Sequence, residues 1–404
     1  MTRVAIIGAG AAGCFCGAQL LSRGARVTLF EAGAKPLAKV AITGGGRCNL
    51  SNTFAGIRSL GEAYPRGERV MQRALKAFSQ EDACRWFSSH GVPVTVQPDA
   101  CVFPVSQDAR DVVRALLDAC KGADFRLRHR VQSIQRCPVG AGHDKSVIPD
   151  LIGYLVDGEP FDAVVVTTGG APQGLPFLKA LDLEMVPPVP SLFTFNLTEP
   201  RLRELMGLVV TASLAIPGTA FRSEGPLLIT DWGLSGPATL RLSSYAARYL
   251  AENQYKAPLL INWLNLKENQ MREQLSTFAK EHSQQRVTSA RTSLPARLWG
   301  YLAARAGLRE DLRWAELGSK GLNRLTATLT ADEYRISGKC KFRDEFVTAG
   351  GVALGNLHLS TLESKAHPGL FFAGEVLDID AITGGFNLQA AWSTGFVAAQ
   401  NIRV

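Results

Sequence analysis

Val4 to Glu31 reads VAIIGAGAAGCFCGAQLLSRGARVTLFE. VAII is a short, continuous apolar run, GAGAAG a glycine turn, CFCGAQLLSRG a helix closed by Gly24, and RVTLFE a second strand. Strand, turn, helix and strand in this order form the opening unit of a doubly wound α/β sheet. The glycines have separate duties. Gly8 makes the tight turn, Gly10 lets the backbone approach a pyrophosphate, and Gly13 lets helix and strand pack closely. The helix N-terminus then faces the phosphates with free N–H groups and a partial positive charge. Glu31 lies eighteen residues past Gly13, at the end of the second strand. Its carboxylate is suited to both hydroxyls of an adenosine ribose and disfavours a 2′-phosphate, which predicts FAD or NAD rather than NADP.

Further along, 68–90 and 107–121 carry apolar residues at helical spacing. FRLRHRVQSIQRC and LIGYLVDG read as antiparallel strands, and FDAVVVTTGG (161–170) as an apolar strand suited to the centre of the sheet. From Val186 prolines punctuate the chain. Residues 190–262 then alternate apolar and polar like a β-rich module, and 265–316 is polar and helical. The last sixty residues return to a buried strand, a glycine turn and a closing helix. The expected division is 1–189 for the first part of a dinucleotide-binding domain, 190–264 for a β-rich insert and 265–320 for a helical insert. Residues 321–344 are expected to return strands to the β-rich insert, and 345–404 to complete the first domain.

With 404 residues the chain is long enough for two or three domains. At 46% hydrophobic and 20% charged it is globular in composition, and no apolar run reaches the length of a membrane helix. MTRVAIIGAGAAG has no signal-peptide pattern, which predicts a cytoplasmic protein. The eight cysteines form no C-x-x-C pair and have no histidine spacing for zinc, so reduced thiols without a metal site are expected. The net charge of +8 is compatible with plain solubility or with a nucleic-acid face.

A second dinucleotide-style turn lies near the C-terminus in FFAGEVLDIDAITGGFNLQAAWSTG. Gly374-Glu375 follows a strand, and Gly384-Gly385-Phe386-Asn387-Leu388 opens a helix whose N-terminus suits the electron-rich edge of a flavin ring. Asp378 is placed to take a ribitol chain, and Asp380 is its alternative, because strand parity does not choose between them. Such turns at both ends of the sequence favour FAD over NAD. The third motif is AITGGGRCNLSN (41–52), whose three glycines leave backbone N–H groups unshielded where a flat ring can lie.

GAGAAG, TGGGRCNLSN, VFPVSQDARDVV (102–113), TTGG (167–170), GLSGPA (233–238), FVTAGGV (346–352) and GEVLDIDAITGGFNLQAAWSTG occur in that order. The chain resembles, over nearly its whole length, the BaiN/RdsA (YhiN-like) family of FAD-dependent oxidoreductases. The resemblance implies an α/β fold in which a doubly wound FAD-binding domain of glutathione-reductase type is interrupted by a β-barrel-like module and a small helical module. It also implies bound FAD, with Gly8, Gly10, Ala11, Ala12, Gly13 and Glu31 on the ADP half. Lys39, Gly45, Gly46, Arg47, Cys48 and Asn49 would lie near the ribityl and ring, with Thr168 and Gly169 of TTGG among the cofactor contacts. Gly374, Glu375, Gly385, Phe386, Asn387 and Leu388 would hold the flavin end. The chain departs from the family at Leu37-Ala38, where Gly-Arg is usual, in the shorter loop 171–184, and at Asp231, where a histidine is usual. A nicotinamide site and a substrate role for that histidine are therefore not carried over.

Family members are associated with reduction of a uridine in 23S ribosomal RNA to dihydrouridine, with reduction of activated C=C bonds in steroid-like acids, and with oxidation of small amines. The first is the expected reaction, with NADH or NADPH as a transient electron donor and ribosomal RNA as partner. A small-molecule enoyl reductase or amine oxidase, and a non-catalytic flavin-bearing RNA-binding or redox-sensing protein, are the alternatives. Cys48 is a candidate proton donor, with Arg47 beside it to lower its pKa or steady an enolate oxygen, and packing is its other reading. His358 is a second candidate. The arginines of the helical insert, Arg286, Arg291, Arg297, Arg305, Arg309, Arg313 and Arg324, suit a phosphate backbone, and solvated helix faces explain them almost as well.

Overall fold

A computed structural model describes residues 1–138, 152–170, 176–290, 292–340 and 347–404. Arg291, the first residues of the shortened loop after Gly170 and the expected junction at 344–345 lie outside the described residues. The chain forms two compact units, Met1–Val189 with Val347–Val404, and Pro190–Phe346.

The first unit is built on a seven-stranded sheet. Its order is Leu357–His358, Glu363–Ser364, Leu370–Phe372, Ala163–Val166, Arg3–Ile7, Arg26–Phe30 and Asp124–Arg126. The five strands from Leu370–Phe372 onward are parallel, and the two short edge strands run antiparallel. Val4 to Ile7 and Val164 to Val166 are almost fully buried, as expected for parallel strands covered on both faces. Ala163–Val166 pairs with Arg3–Ile7 on one side and Leu370–Phe372 on the other, which puts the AVVV run at the centre. The helices Ala11–Ser22 and Phe386–Asn401 lie side by side in the same sense. Gly395 sits on the backbone of Ala12, and the Arg23 guanidinium donates to the carbonyls of Ala399 and Ile402.

Two expectations for this unit change. The helical stretch 68–90 is two helices, Glu68–Ala77 and Gln80–Ser89, because Phe78 turns extended and Ser79 starts a new helix through a capping box with Asp82. The run FRLRHRVQSIQRC is not one antiparallel strand. Asp124–Arg126 joins the main sheet parallel to Arg26–Phe30, and only Ile134–Pro138 pairs antiparallel with Ile152–Val156. Arg128 turns the chain between them at a φ of 55°, and the N–H groups of Arg128 and His129 donate to the carbonyls of Gly33 and Glu31.

The second unit holds a closed six-stranded barrel of Phe195–Leu197, Gly233–Ser235, Arg222–Ile229, Val209–Ala215, Ala257–Asn262 and Asp332–Lys339. Its strands alternate between buried and more exposed residues, with Val210, Ala212 and Leu214 buried on one and Asp332, Tyr334 and Ile336 buried on another. Helices Glu268–Glu281, Ala296–Arg305 and Gly318–Thr330 share one apolar core with the barrel. The return to the barrel therefore begins at Asp332 rather than at 321. The preceding stretch is helical because Gly321, Leu325 and Leu329 repeat at four-residue spacing and bury one face. Among the described residues no helix is long and apolar enough to cross a membrane.

Candidate functional site

In the first unit, Ile7 pairs with Phe30 and with Val166, and Val166 with Phe372. The carboxyl ends of four adjacent parallel strands therefore line up. Out of them issue Gly8–Gly13, Glu31, Thr167–Gly170 and Ala373–Glu375. Open α/β sheets bind ligands in the crevice at this end of their strands.

The first turn is packed as tightly as backbone allows. Gly8 has a φ of 110°, and a β-carbon there would stand 2.5 Å from the Thr167 carbonyl oxygen. At Gly13 it would stand 1.9 Å from the Gly8 carbonyl oxygen and 2.6 Å from Thr167 Oγ1. The Thr167 hydroxyl donates to the Gly8 carbonyl at 2.7 Å and ties the turn to the central strand. Gly10 is different, because no atom lies within 4 Å of where its β-carbon would be. The helix behind it starts at Ala11 with no capping side chain and no acid in its first turn, so its N–H groups face that open space. Glu31 Oε2 accepts from the Ala9 N–H at 3.1 Å and Oε1 from the Gly33 N–H at 2.6 Å. Each oxygen keeps a lone pair for a ligand hydroxyl. The Thr168 hydroxyl is buried next to this turn and has no hydrogen-bond partner, an unmet polar group that a ligand would satisfy.

The glycine-rich stretch coils into a left-handed turn, with φ of 59° at Gly44, 67° at Gly45, 83° at Gly46 and 61° at Cys48. Gly44 lies against Asn49 and the Phe103 ring, while Gly45 and Gly46 face open space. Arg47 is exposed and stacks its guanidinium 4.6 Å from the Phe103 ring centroid. Behind the turn, residues 49–52 are laced to the second glycine turn and the closing helix. A β-carbon at Gly385 would meet the Ser51 carbonyl oxygen at 2.3 Å. Asn52 Nδ2 donates to the Gly384 carbonyl at 2.9 Å, and Trp392 Nε1 donates to the Leu50 carbonyl at 3.0 Å. With the Asn49 amide oxygen turned toward it, the Gly385 N–H donates at 3.2 Å. The closing helix, like the first, starts without a capping side chain or an acid.

Near the turn Ala373–Glu375, Glu375 Oε1 accepts from the Thr348 N–H at 2.7 Å, and Oε2 lies 3.9 Å from Lys39 Nζ. A β-carbon at Gly170 would strike both Thr348 and Glu375. Gly169 stands 3.9 Å from the same carboxylate by that measure. The two acids that parity left open differ sharply. Asp380 is fully buried, and both its carboxylate oxygens are engaged by the Arg66 guanidinium. Asp378 is half-buried. Asn387 holds the connecting loop by accepting from the Ala381 N–H and donating to its carbonyl. The Phe386 carbonyl accepts from Tyr64 OH at 3.0 Å.

Two candidate proton donors are not presented to this face. Cys48 is 0% exposed and belongs to the apolar core of the unit. Burial pushes its thiol up to about 11, partly offset by a hydrogen bond with Thr43. Arg47, exposed and turned onto Phe103, does not bring the expected lowering. With its thiol packed in the core of the unit, Cys48→Ala is expected to leave cofactor content and activity close to those of wild type. Loss of packing should cost about 1 kcal/mol in thermal unfolding. His358 is exposed on the two-residue strand at the far edge of the sheet, with three strands between it and Arg3–Ile7. A two-residue strand at an open edge has one neighbour and water on its other side, so its histidine is held outside the crevice.

Several residues at the site have no local motif. The Ser51 hydroxyl donates to Gln389 Oε1 at 2.6 Å, Gln389 Nε2 donates to Ser393 Oγ at 2.9 Å, and Ser393 Oγ donates to the Phe78 carbonyl at 2.7 Å. Their signal is a pair of polar residues four apart, Gln389 and Ser393, both fully buried in the closing helix. Thr394, whose hydroxyl accepts from the Gly374 N–H at 2.9 Å, follows the same logic.

The chain matches the family model described as HI0933-like protein Rossmann domain over residues 2–401. It is 32% identical to the ribosomal RNA dihydrouridine synthase of Escherichia coli (strain K12), with 98% of this chain and 97% of that protein covered. Identity to the protein of the same name in Haemophilus influenzae is 27%, over 98% and 97% of the two chains. The 3-dehydro-bile acid delta(4,6)-reductase of Clostridium scindens is 26% identical over 99% of this chain and 98% of its own.

Proposed function

The chain belongs to the HI0933-like family and is an FAD-dependent oxidoreductase, and on that footing we propose that it reduces a uridine of 23S ribosomal RNA to dihydrouridine, with NADH or NADPH as electron donor. The observation that carries this reading is the end-to-end similarity to a ribosomal RNA dihydrouridine synthase. When bound and reduced by the nicotinamide donor, the flavin would supply the hydride that, together with a proton, saturates the C5=C6 bond of the uracil.

The residues present fit the cofactor. Gly10, Ala11, Ala12 and Gly13 would take the pyrophosphate on open backbone N–H groups, with Gly8, whose own N–H donates to the Phe30 carbonyl, shaping the turn; Glu31 would take the adenosine ribose, and Thr168 and Gly169 the adjoining chain. The unpartnered Thr168 hydroxyl and the open face at Gly10 support this assignment. Asp378, half-buried beside the turn, would take the ribityl hydroxyls, since Asp380 is fully buried. Gly45, Gly46 and Asn49 would line one side of the ring. Gly374 and Gly385 would shape the turns beside it, and the N–H groups of Phe386, Asn387 and Leu388 would stabilise negative charge on its pyrimidine edge. Glu375 and Lys39 would close the ribityl side as a partly exposed pair. Arg47 offers an exposed positive charge at the rim for a uracil carbonyl or a phosphate.

An rRNA substrate would put the site of action in the cytoplasm. Mass mapping of dihydrouridine in 23S rRNA from a strain lacking the gene is the deciding measurement. One dihydrouridine should vanish and return when the gene is restored. An unchanged profile sinks the rRNA assignment and favours a small-molecule C=C reductase, the reading supported by the similarity to the bile-acid reductase.

A further inference from the structure

The helical module of the second unit encloses a cavity of about 280 Å³ whose walls include Met271, Leu275, Phe278, Trp299 and Trp314. Apart from the half-buried Phe278, these residues are buried, while the exposed Gln274 and Ser293 mark the opening. The volume is just under the ~300 Å³ at which sites for drug-sized molecules begin, so it suits one planar ring system. The Phe278 and Trp314 rings lie 5.0 Å apart and are tilted by 58° to each other.

One residue of this wall carries a polar group with no partner in the chain. Buried tryptophans elsewhere in the chain all donate their indole N–H: Trp263 to Asp332 at 3.0 Å, Trp299 to the Val287 carbonyl at 2.8 Å, and Trp392 to the Leu50 carbonyl at 3.0 Å. Trp314 is 2% exposed, and its N–H has no acceptor. A buried donor left unpaired is rare in a folded protein and calls for a partner that brings an acceptor. The surroundings indicate which kind. Residues 265–330 hold eleven lysines and arginines against six acids, and so carry five of the eight net positive charges of the chain. Arg272, next to Met271, and Arg313, next to Trp314, are both exposed. Aromatic walls, a planar ring-sized volume, a donor awaiting a carbonyl or ring nitrogen, and surrounding positive charge together describe a nucleobase on a phosphodiester strand.

We propose that this cavity holds one unpaired base of the RNA substrate, stacked against the aromatic wall and accepting a hydrogen bond from Trp314. The base is a second point of recognition, separate from the uridine that is reduced. The pocket rests on the reading of the chain as an RNA-modifying enzyme and goes beyond it by assigning the helical module a role in holding the strand.

The test uses the flavin-loaded protein and a fluorescein-labelled single-stranded RNA of about twenty nucleotides carrying all four bases. A strand of equal length with its bases removed is the control. Wild type should bind the base-bearing strand about tenfold tighter or more than the abasic strand, with quenching of tryptophan emission. Trp314→Phe, which removes the donor, and Ser293→Phe, which plugs the exposed opening without touching the core, should each lose most of that ratio and keep full flavin absorbance. Retention of the ratio by Ser293→Phe overturns the proposal, whatever Trp314→Phe does to folding. Equal binding of the two strands by wild type also overturns it, while leaving an RNA substrate in place. Failure of wild type to bind either strand removes the RNA reading itself.

Discussion

Gly13→Ala should release the flavin and lower the unfolding temperature of the flavin-free first unit, whereas Gly10→Ala should release the flavin and leave the stability of the flavin-free protein untouched. A methyl at position 13 has no room, with one carbonyl oxygen 1.9 Å away and a hydroxyl oxygen at 2.6 Å. Both belong to the turn and the central strand, so the backbone must move. Overpacking of this kind costs about 3 kcal/mol or more where neighbours are main chain, a fall of roughly 6–12 °C for a unit of this size. At position 10 the φ is −86° and nothing lies within 4 Å of the new methyl. Stability should stay within about 0.5 kcal/mol, yet the methyl occupies the space where a pyrophosphate must lie. Flavin absorbance per protein and thermal melting separate the two effects. Wild-type flavin content in Gly10→Ala would falsify the placement of the phosphates.

The second large effect is expected at Arg66. Its guanidinium is only 14% exposed and balances the fully buried Asp380. Arg66→Met removes the cation and leaves the carboxylate in the interior, a change that costs about 3–5 kcal/mol in comparable pairs. The damage should be local at first. Arg66 and Asp380 also form a short backbone bridge, so the loop from Asp378 to Gly385 loses its anchor and flavin leaves before the unit melts. Arg66→Met combined with Asp380→Asn should regain most of the loss, because no charge is then stranded. Differential scanning of the single and double variants reads this directly. Equal instability of both would mean that the pair matters for its shape rather than its charge.

The fold was readable where chemistry is local. VAII, AVVV and the glycine turns state their conformation within a few residues, since burial on both faces demands an unbroken apolar run and a close helix demands a glycine. The break at Ser79 was also open to reading, in the Ser79-to-Asp82 spacing of a capping box, but the helical phase on either side masked it. The strand at Asp124 was not separable from the residues after it, because its partner Arg26–Phe30 lies almost a hundred residues earlier. For the site the division is the same. Both glycine turns and Glu31 could be located from spacing, whereas the Arg66 grip on Asp380 spans 314 positions and leaves no local trace. Cys48 looked presentable because a run of three glycines ends two residues before it. Its positive φ turns the thiol inward, and such a turn is not encoded by the residue type itself.

The hydrogen bond from Ser51 to Gln389 joins residues 338 positions apart, and this sets an order of events on the ribosome. Once Val166 has emerged, the central strand waits for Leu370–Phe372 through roughly 10–40 s of synthesis. In that interval the contiguous barrel and its helices have all their own residues and can close, while the nucleotide-binding sheet keeps an apolar edge open. The proposed flavin pocket is therefore finished after the barrel. The cofactor meets a chain whose closing helix has already emerged, so a shortage of flavin would be felt at the docking of that helix rather than in the early folding of the barrel.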